Sequence, residues 1–354
     1  MSALETIIKN EILHNGPMDI GHYMNLCLGH PQHGYYITRD PFGKTGDFVT
    51  APEVSQMFGE MIGAWIIDTW QKLGAPSSFT LLECGAGRGT LMSDIMRVAK
   101  SVSDFTNAVQ IKLLETSPVL IKKQQEALSA YSPKWYGSLS EVDLNDPLIV
   151  IGNEFLDALP IRQFRKDNNQ LKEVVIGVDE DEKLSLGLSN QPSDIDAPLN
   201  MKEGEILELA PIRNQFMKTV LDMLKKNRGA GLFIDYGYNQ SFGDTLQAIK
   251  DHKFIPVTDH VGDADITSHV DFLSLRKLCK QEGVHEYGLV KQADFLKSLG
   301  IVTRAQILKQ KATSAQSGKI EKDLNRLVGL DEMGKIFKVM AFSSEPLPLA
   351  GFSI

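Results

Sequence analysis

The residues best suited to chemistry in this chain lie in the run Leu81-Leu82-Glu83-Cys84-Gly85-Ala86-Gly87-Arg88-Gly89-Thr90. An apolar stretch ends in an acid, three glycines follow at alternate positions, and residues 91–97 continue with helical spacing. The pattern predicts a strand, a tight turn and a helix. Glycine takes positive φ and lets a ligand approach the backbone closely. The start of the helix turns free N–H groups and a positive dipole end toward that ligand. A turn of this kind holds a nucleotide-like cofactor, and its spacing decides which one. A dinucleotide turn has its third glycine three places after the second, where helix and strand pack around a pyrophosphate. Here Gly89 follows Gly87 by two places, and Thr90 stands where the glycine is required. Glu83 would repel a phosphate and suits a cation. S-adenosylmethionine has no pyrophosphate and carries ammonium and sulfonium charges, so Glu83, Gly85, Gly87 and Gly89 are expected to bind it. A second acid, Glu115, ends the apolar run Ile111-Lys112-Leu113-Leu114 and is placed to hold ribose hydroxyls. It lies 28 residues beyond Gly87, further than the roughly 20 of the dinucleotide rule. The plainer alternative is a glycine-rich loop with a surface acid nearby.

The elements needed to position these residues follow from periodicity. Residues 79–84, 111–115, 134–139, 148–152 and 230–236 read as strands; 89–99 and 118–130 read as helices between them. Repeated β-α-β of this kind predicts a parallel sheet with helices on both faces. Before the core, 2–15 reads as a helix stopped by Asn15-Gly16-Pro17, and Asp19 caps another. Residues 55–73 carry Met57, Met61, Trp65 and Trp70 near helical spacing. Between them, residues 31–60 are rich in Gly, Pro and aromatics, which predicts an ordered functional loop. Residues 161–210 depart from the alternation, with strand-like runs at 173–178, 183–188 and 205–209, and predict a β-rich insertion. Residues 212–226, 292–299 and 303–311 read as helices, 246–283 as mixed loop and helix, and 335–342 as a terminal strand. The expected division is therefore 1–75 (N-terminal helices and lid loop), 76–160 (cofactor-binding βαβ core), 161–210 (insertion) and 211–354 (the rest of the core with substrate-side helices).

Composition narrows the partners. The 354 residues carry a net charge of −8, which argues against a nucleic-acid partner and is compatible with a basic protein substrate. No apolar run reaches the roughly 18 residues of a membrane span, so no membrane insertion is expected. Three widely spaced cysteines, Cys27, Cys84 and Cys279, read as core residues of a protein in a reducing compartment, the cytoplasm. The N-terminus lacks the marks of a signal or transit peptide.

Several blocks resemble the MidA-like methyltransferases. Gly34-Tyr35-Tyr36 and the run from Gly46-Asp47-Phe48-Val49-Thr50-Ala51-Pro52-Glu53 through Ser55-Gln56-Met57-Phe58-Gly59-Glu60 resemble the opening motif of that family. Residues 153–160 (NEFLDALP), Asp235-Tyr236-Gly237-Tyr238, Gly243-Asp244-Thr245-Leu246 and residues 265–272 (DITSHVDF) resemble further blocks, in order along nearly the whole chain. Alanine at 86 departs from the proline that many members carry there. The resemblance implies an α/β class I methyltransferase fold, Rossmann-like, with a seven-stranded, mostly parallel sheet. It implies S-adenosylmethionine as cofactor. Mitochondrial members are similar to complex I assembly factors that methylate an arginine of a core subunit to symmetric dimethylarginine. This chain resembles a bacterial member, for which a complex I subunit or similar protein would be the substrate. A homodimer is compatible with the same reading.

An arginine nucleophile stays charged to a pKa above about 12, so acids must hold it and take a proton. Ligands in such sheets bind outside the carboxyl ends of the strands. Glu154 is the first candidate for guanidinium binding and Asp157 the second, beside Asn153; capping of the following segment is the alternative role. Asp235-Tyr236 has the same two readings. Asp47, in the lid with Tyr35, Tyr36 and Glu53, is expected to touch the cofactor, and Ser138 and Leu139 fall where this fold contacts adenine. His260, Asp263, Asp265, His269 and Asp271 fit no standard ligand spacing, so no metal is expected. Two other readings stay open: a non-catalytic assembly factor that keeps the fold, and a small-molecule methyltransferase.

Overall fold

The computed structural model describes residues 2–41, 49–239 and 243–352. Seven strands form its central sheet: β1 (Phe79–Cys84), β2 (Val109–Leu114), β3 (Lys134–Tyr136), β4 (Leu148–Asn153), β5 (Gly229–Tyr238), β6 (His285–Lys291) and β7 (Phe337–Ser343). Their spatial order is β6-β7-β5-β4-β1-β2-β3, and the two-residue strand Val270–Asp271 pairs with the end of β5. β7 runs antiparallel to both its neighbours and the other strands are parallel. The order reverses between β1 and β4, which lie side by side with Cys84 opposite Gly152. This switch point opens a crevice beyond the carboxyl ends of the two strands.

Strand alternation explains why the sheet is covered on both faces. Phe79, Leu81, Ile149, Ile151, Leu232 and Ile234 pack on one side with helices Gln56–Lys72 and Thr90–Ala99. Leu82, Cys84, Leu148, Val150 and Phe233 pack on the other with helices Pro211–Asn227 and Phe272–Gln281. The expected Asp19 cap is in place, its side chain accepting the His22 amide, and Ser2 and Ser55 cap their helices by accepting the Glu5 and Met57 amides. All three cysteines are buried and unpaired.

The insertion is a five-stranded antiparallel sheet built from Arg162–Asp167, Gln170–Val178, Leu184–Pro192 and Ile206–Leu209, joined by Met18–Asp19. The strand Arg162–Asp167 is not visible in periodicity because its sequence, RQFRKD, buries only Gln163 and Phe164. Residues 246–267 correct the reading of mixed loop and helix. Gln247–Lys250, Lys253–Ile255 and Asp265–Thr267 make a small three-stranded sheet, and the helix begins only at Phe272. Each of these strands is four residues or fewer, too short to show a period of two. A helix, Ser314–Val328, follows those expected near the C-terminus. Among the described residues no helix is long and apolar enough to cross a membrane.

Candidate active site

The glycine turn leaves β1 with Gly85, Gly87 and Gly89 at φ +68°, +52° and +81°. Gly89 caps helix Thr90–Ala99. A Cβ on Gly85 would sit 2.7 Å from the Phe155 ring, so only glycine passes there. The Gly85 amide donates to Leu114 O at 3.1 Å and the Gly89 amide to Ala86 O at 2.7 Å, which closes the turn against β2. Above it lies a cleft of about 620 Å³, lined by Gly85, Gly87, Glu115, Ser138, Leu139 and Glu154 among others. Most of the residues picked from the sequence thus converge on one opening.

Glu83 is 2% exposed, and its Oε2 has no hydrogen-bond partner among the described residues. Burial, and then the charge of Glu115, pushes its carboxyl up to about 8. An unpartnered buried carboxylate costs free energy unless a cation or donor meets it. It lines a small recess with Gly85, Gly87, Asn153 and Glu154. Asn153 Oδ1 is a second buried acceptor without a donor among the described residues. The ammonium of S-adenosylmethionine has the donors and the charge that this pair lacks, and the glycine turn has no Cβ in the way; the residues fit the cofactor. Glu115 Oε1 accepts the Thr116 and Ser117 amides, both at 2.9 Å, and burial raises its pKa. Ser138 caps a short 3₁₀ turn reciprocally with Glu141.

The segment after β4 is held in an unusual shape. Glu154 has φ +51°, a conformation that costs a non-glycine residue about 1–3 kcal/mol. Three groups compensate. Its amide donates to Ile234 O at 2.9 Å. Asp235 Oδ2 accepts the amides of Phe155, Leu156 and Asp157 at 3.1, 2.9 and 3.2 Å. The buried Arg213 donates to Leu156 O at 2.9 Å and, from its other nitrogens, to Ser268 Oγ and His269 O. Asp235 is therefore a backbone clamp, the capping alternative of its two readings. Arg213 could not have been picked from sequence, because its partners are 55–57 residues away.

Glu154 Oε1 accepts the Ala51 amide at 2.8 Å and Asn153 Nδ2 at 2.9 Å. Burial raises its carboxyl to about 7 against those two bonds. Asp157 is 6% exposed with Oδ1 unpartnered among the described residues, and burial raises its pKa although Tyr236 hydrogen-bonds it. Asp235 is pushed well above the carboxylate range by burial and by the charges of Asp157 and Glu154. Tyr36 lines the cleft and donates to Asp265 at 2.9 Å.

Asp47 lies outside the described residues. On either side of it, Asp40 pairs with Arg88 of the glycine turn at 2.9 Å, and Glu53 accepts from Thr90 Oγ1 at 2.5 Å. Asp271 caps helix Phe272–Gln281, and His269 packs edge-on against Tyr236. Among the described residues no group of three or more His, Cys, Asp or Glu is arranged to hold a metal ion.

Comparison with known proteins shows the family. The family model described as "Putative S-adenosyl-L-methionine-dependent methyltransferase" matches residues 61–290. The chain is 30% identical over 386 residues to the "Protein arginine methyltransferase NDUFAF7, mitochondrial" of Danio rerio, covering 98% of this chain and 91% of that protein. For the Homo sapiens protein of the same name the identity is 31%, with 94% and 81% covered. A solved structure from Burkholderia thailandensis, bound to S-adenosyl-homocysteine, superposes with a TM-score of 0.82 at 26% identity, covering 96% of this chain and 92% of that one. The chain belongs to this family of S-adenosyl-L-methionine-dependent methyltransferases, the MidA-like family that its motifs resemble.

Proposed function

We propose that the chain methylates arginine side chains of a protein substrate, with a respiratory complex I subunit or a similar protein as the target that its family resemblance implies. The observation that carries this reading is the charge balance beyond β4 and β5. Glu154, Asp157 and Asp235 are gathered there, and among the described residues Arg213 is a buried cation beside them. Buried carboxylates in such excess call for cations from outside. The relatives named protein arginine methyltransferases support the same choice.

S-adenosylmethionine, when bound, supplies a methyl group already activated on a sulfonium. Glu83 and Asn153 would hold its cationic end and Glu115 its ribose; Ser138 and Leu139 would border its adenine. Glu154 would bind the guanidinium and orient one nitrogen, which is the larger part of catalysis by alignment. Its raised carboxyl, near 7, also suits it to take the proton that the nitrogen releases. Asp157, whose buried Oδ1 has no hydrogen-bond partner among the described residues, would hold a second nitrogen.

The test uses methyl-labelled S-adenosylmethionine and lysate from cells that lack this gene. Labelled protein is hydrolysed to amino acids. Label in symmetric dimethylarginine, present with the wild-type chain and absent with Glu154→Gln, is expected. Label confined to small molecules, or in lysine alone, would sink the arginine reading.

A further inference from the structure

Gln124 sits on helix Pro118–Ala127 and is fully buried. Its amide makes three hydrogen bonds. Nε2 donates to the carbonyl of Gly87 at 2.8 Å and to Glu115 Oε2 at 3.0 Å. Oε1 accepts the indole Nε1–H of Trp135, on β3, at 2.8 Å. An indole nitrogen only donates, so Trp135 decides which end of the amide is oxygen and commits both hydrogens of Nε2 to the other two partners. The backbone is equally close: a Cβ on Gly89 would lie 3.4 Å from Gln124 Cα.

We infer that Gln124 is a positioning residue for the cofactor, one amide that sets the Gly87 peptide and the Glu115 carboxylate relative to each other. This rests on the reading that the glycine turn and Glu115 hold S-adenosylmethionine. β1 and β2 end in register, with Cys84 opposite Leu114. Gly87 and Glu115 both lie beyond those ends, where no ladder bond spaces them. Gly87 needs a restraint because its φ of +52° is one of many that glycine can take. Glu115 needs one because its Oε1 is fixed by two amides while its carboxylate plane is not. A buried side chain that satisfies both at once lowers the ordering cost of binding. Leucine at 124 would fill the space but leave the indole N–H and the Gly87 carbonyl unpaired. Glutamate would turn an acceptor toward two acceptors.

The experiment measures dissociation constants for S-adenosylmethionine and S-adenosyl-homocysteine by calorimetry, with thermal melting alongside. The variants are Gln124→Leu, Trp135→Phe, Glu115→Ala and the double variant Gln124→Leu/Glu115→Ala. Gln124→Leu should weaken both ligands about tenfold or more, the worth of one to two buried hydrogen bonds. Trp135→Phe should weaken them less, in the same direction. In the Glu115→Ala background the Gln124 change should cost clearly less than it does alone, since half of what it positions is gone. Full additivity, or unchanged affinity in Gln124→Leu with a lowered melting point, would mean a packing role only and would overturn the inference. If Gln124→Leu does not fold, Trp135→Phe carries the test, and unchanged affinity there overturns it. Unchanged affinity in Glu115→Ala would instead remove Glu115 from the cofactor site, a different failure.

Discussion

The carboxylate of Asp235 accepts the backbone N–H of Asp157 at 3.2 Å, although the two residues are 78 positions apart. The same oxygen takes the two preceding amides. One acid on β5 thus shapes the segment that carries both expected guanidinium ligands. Asp235→Ala should leave three buried N–H groups without an acceptor and cost about 2–4 kcal/mol of stability. Urea denaturation would measure it. Activity should fall with it, because Glu154 loses the frame that keeps it at positive φ. Asp235→Asn retains an acceptor oxygen and should fall between. A stability equal to wild type in Asp235→Ala would refute the clamp.

Glu154→Gln should keep S-adenosylmethionine binding within a few fold and lower kcat about a hundredfold or more, the usual worth of a positioned base. Wild-type kcat should fall as pH drops through about 7, because protonation removes the charge that holds the guanidinium and the site that takes its proton. In the glutamine variant that acid limb should vanish. An unchanged limb would assign it to another group.

Glu83 gives a pH signature of the opposite sense in stability. Its folded carboxyl sits near 8, above the ordinary carboxylate range, so between that range and about 8 the folded chain holds more protons than the unfolded one. Unfolding free energy therefore declines as pH rises across this window. Cofactor affinity should climb over the same window, as the charged carboxylate becomes available to the ammonium. Glu83→Gln should flatten both trends and weaken binding. Calorimetry at about pH 6 and about pH 8 separates the outcomes, and a pH-independent affinity in wild type would exclude Glu83 as the charged partner.

Two glycines with similar φ separate backbone strain from ligand approach. A methyl group added at Gly16, φ +86°, would meet nothing within 4 Å, whereas one at Gly85, φ +68°, would meet the Phe155 ring at 2.7 Å. Gly16→Ala, at a ψ of 179° where the backbone is essentially reserved for glycine, should cost about 1–3 kcal/mol of local strain and leave cofactor binding alone. Gly85→Ala adds a steric clash beneath the cleft and should weaken S-adenosyl-homocysteine as well as stability. Equal behaviour of the two variants would refute a cofactor role for the turn. Gly87→Val, a branched residue at φ +52°, should be the most severe of the three for binding.

Much of the site was legible because its signals are local. A strand, alternate glycines and a helix start determine a turn wherever they occur, and an acid at each strand end reads directly as Glu83 and Glu115. The helix cap Asp19 acts over three residues and was equally readable. The charged strand Arg162–Asp167 of the insertion and the short strands of residues 247–267 were not, because pairing with distant partners rather than their own pattern makes them strands.

What the sequence by itself determined is thus the cofactor turn, the parallel core and the acids available for chemistry. Only the tertiary structure decided how those acids divide their work. Asp235 became a clamp and Glu154 a cleft residue because of which amides the fold brought to each. Arg213 acts on partners 55–57 positions away and Gln124 reaches Gly87 across 37, and nothing in their own neighbourhoods announces it. Hydrogen bonds and desolvation depend on distance in space, whereas a motif records only distance along the chain.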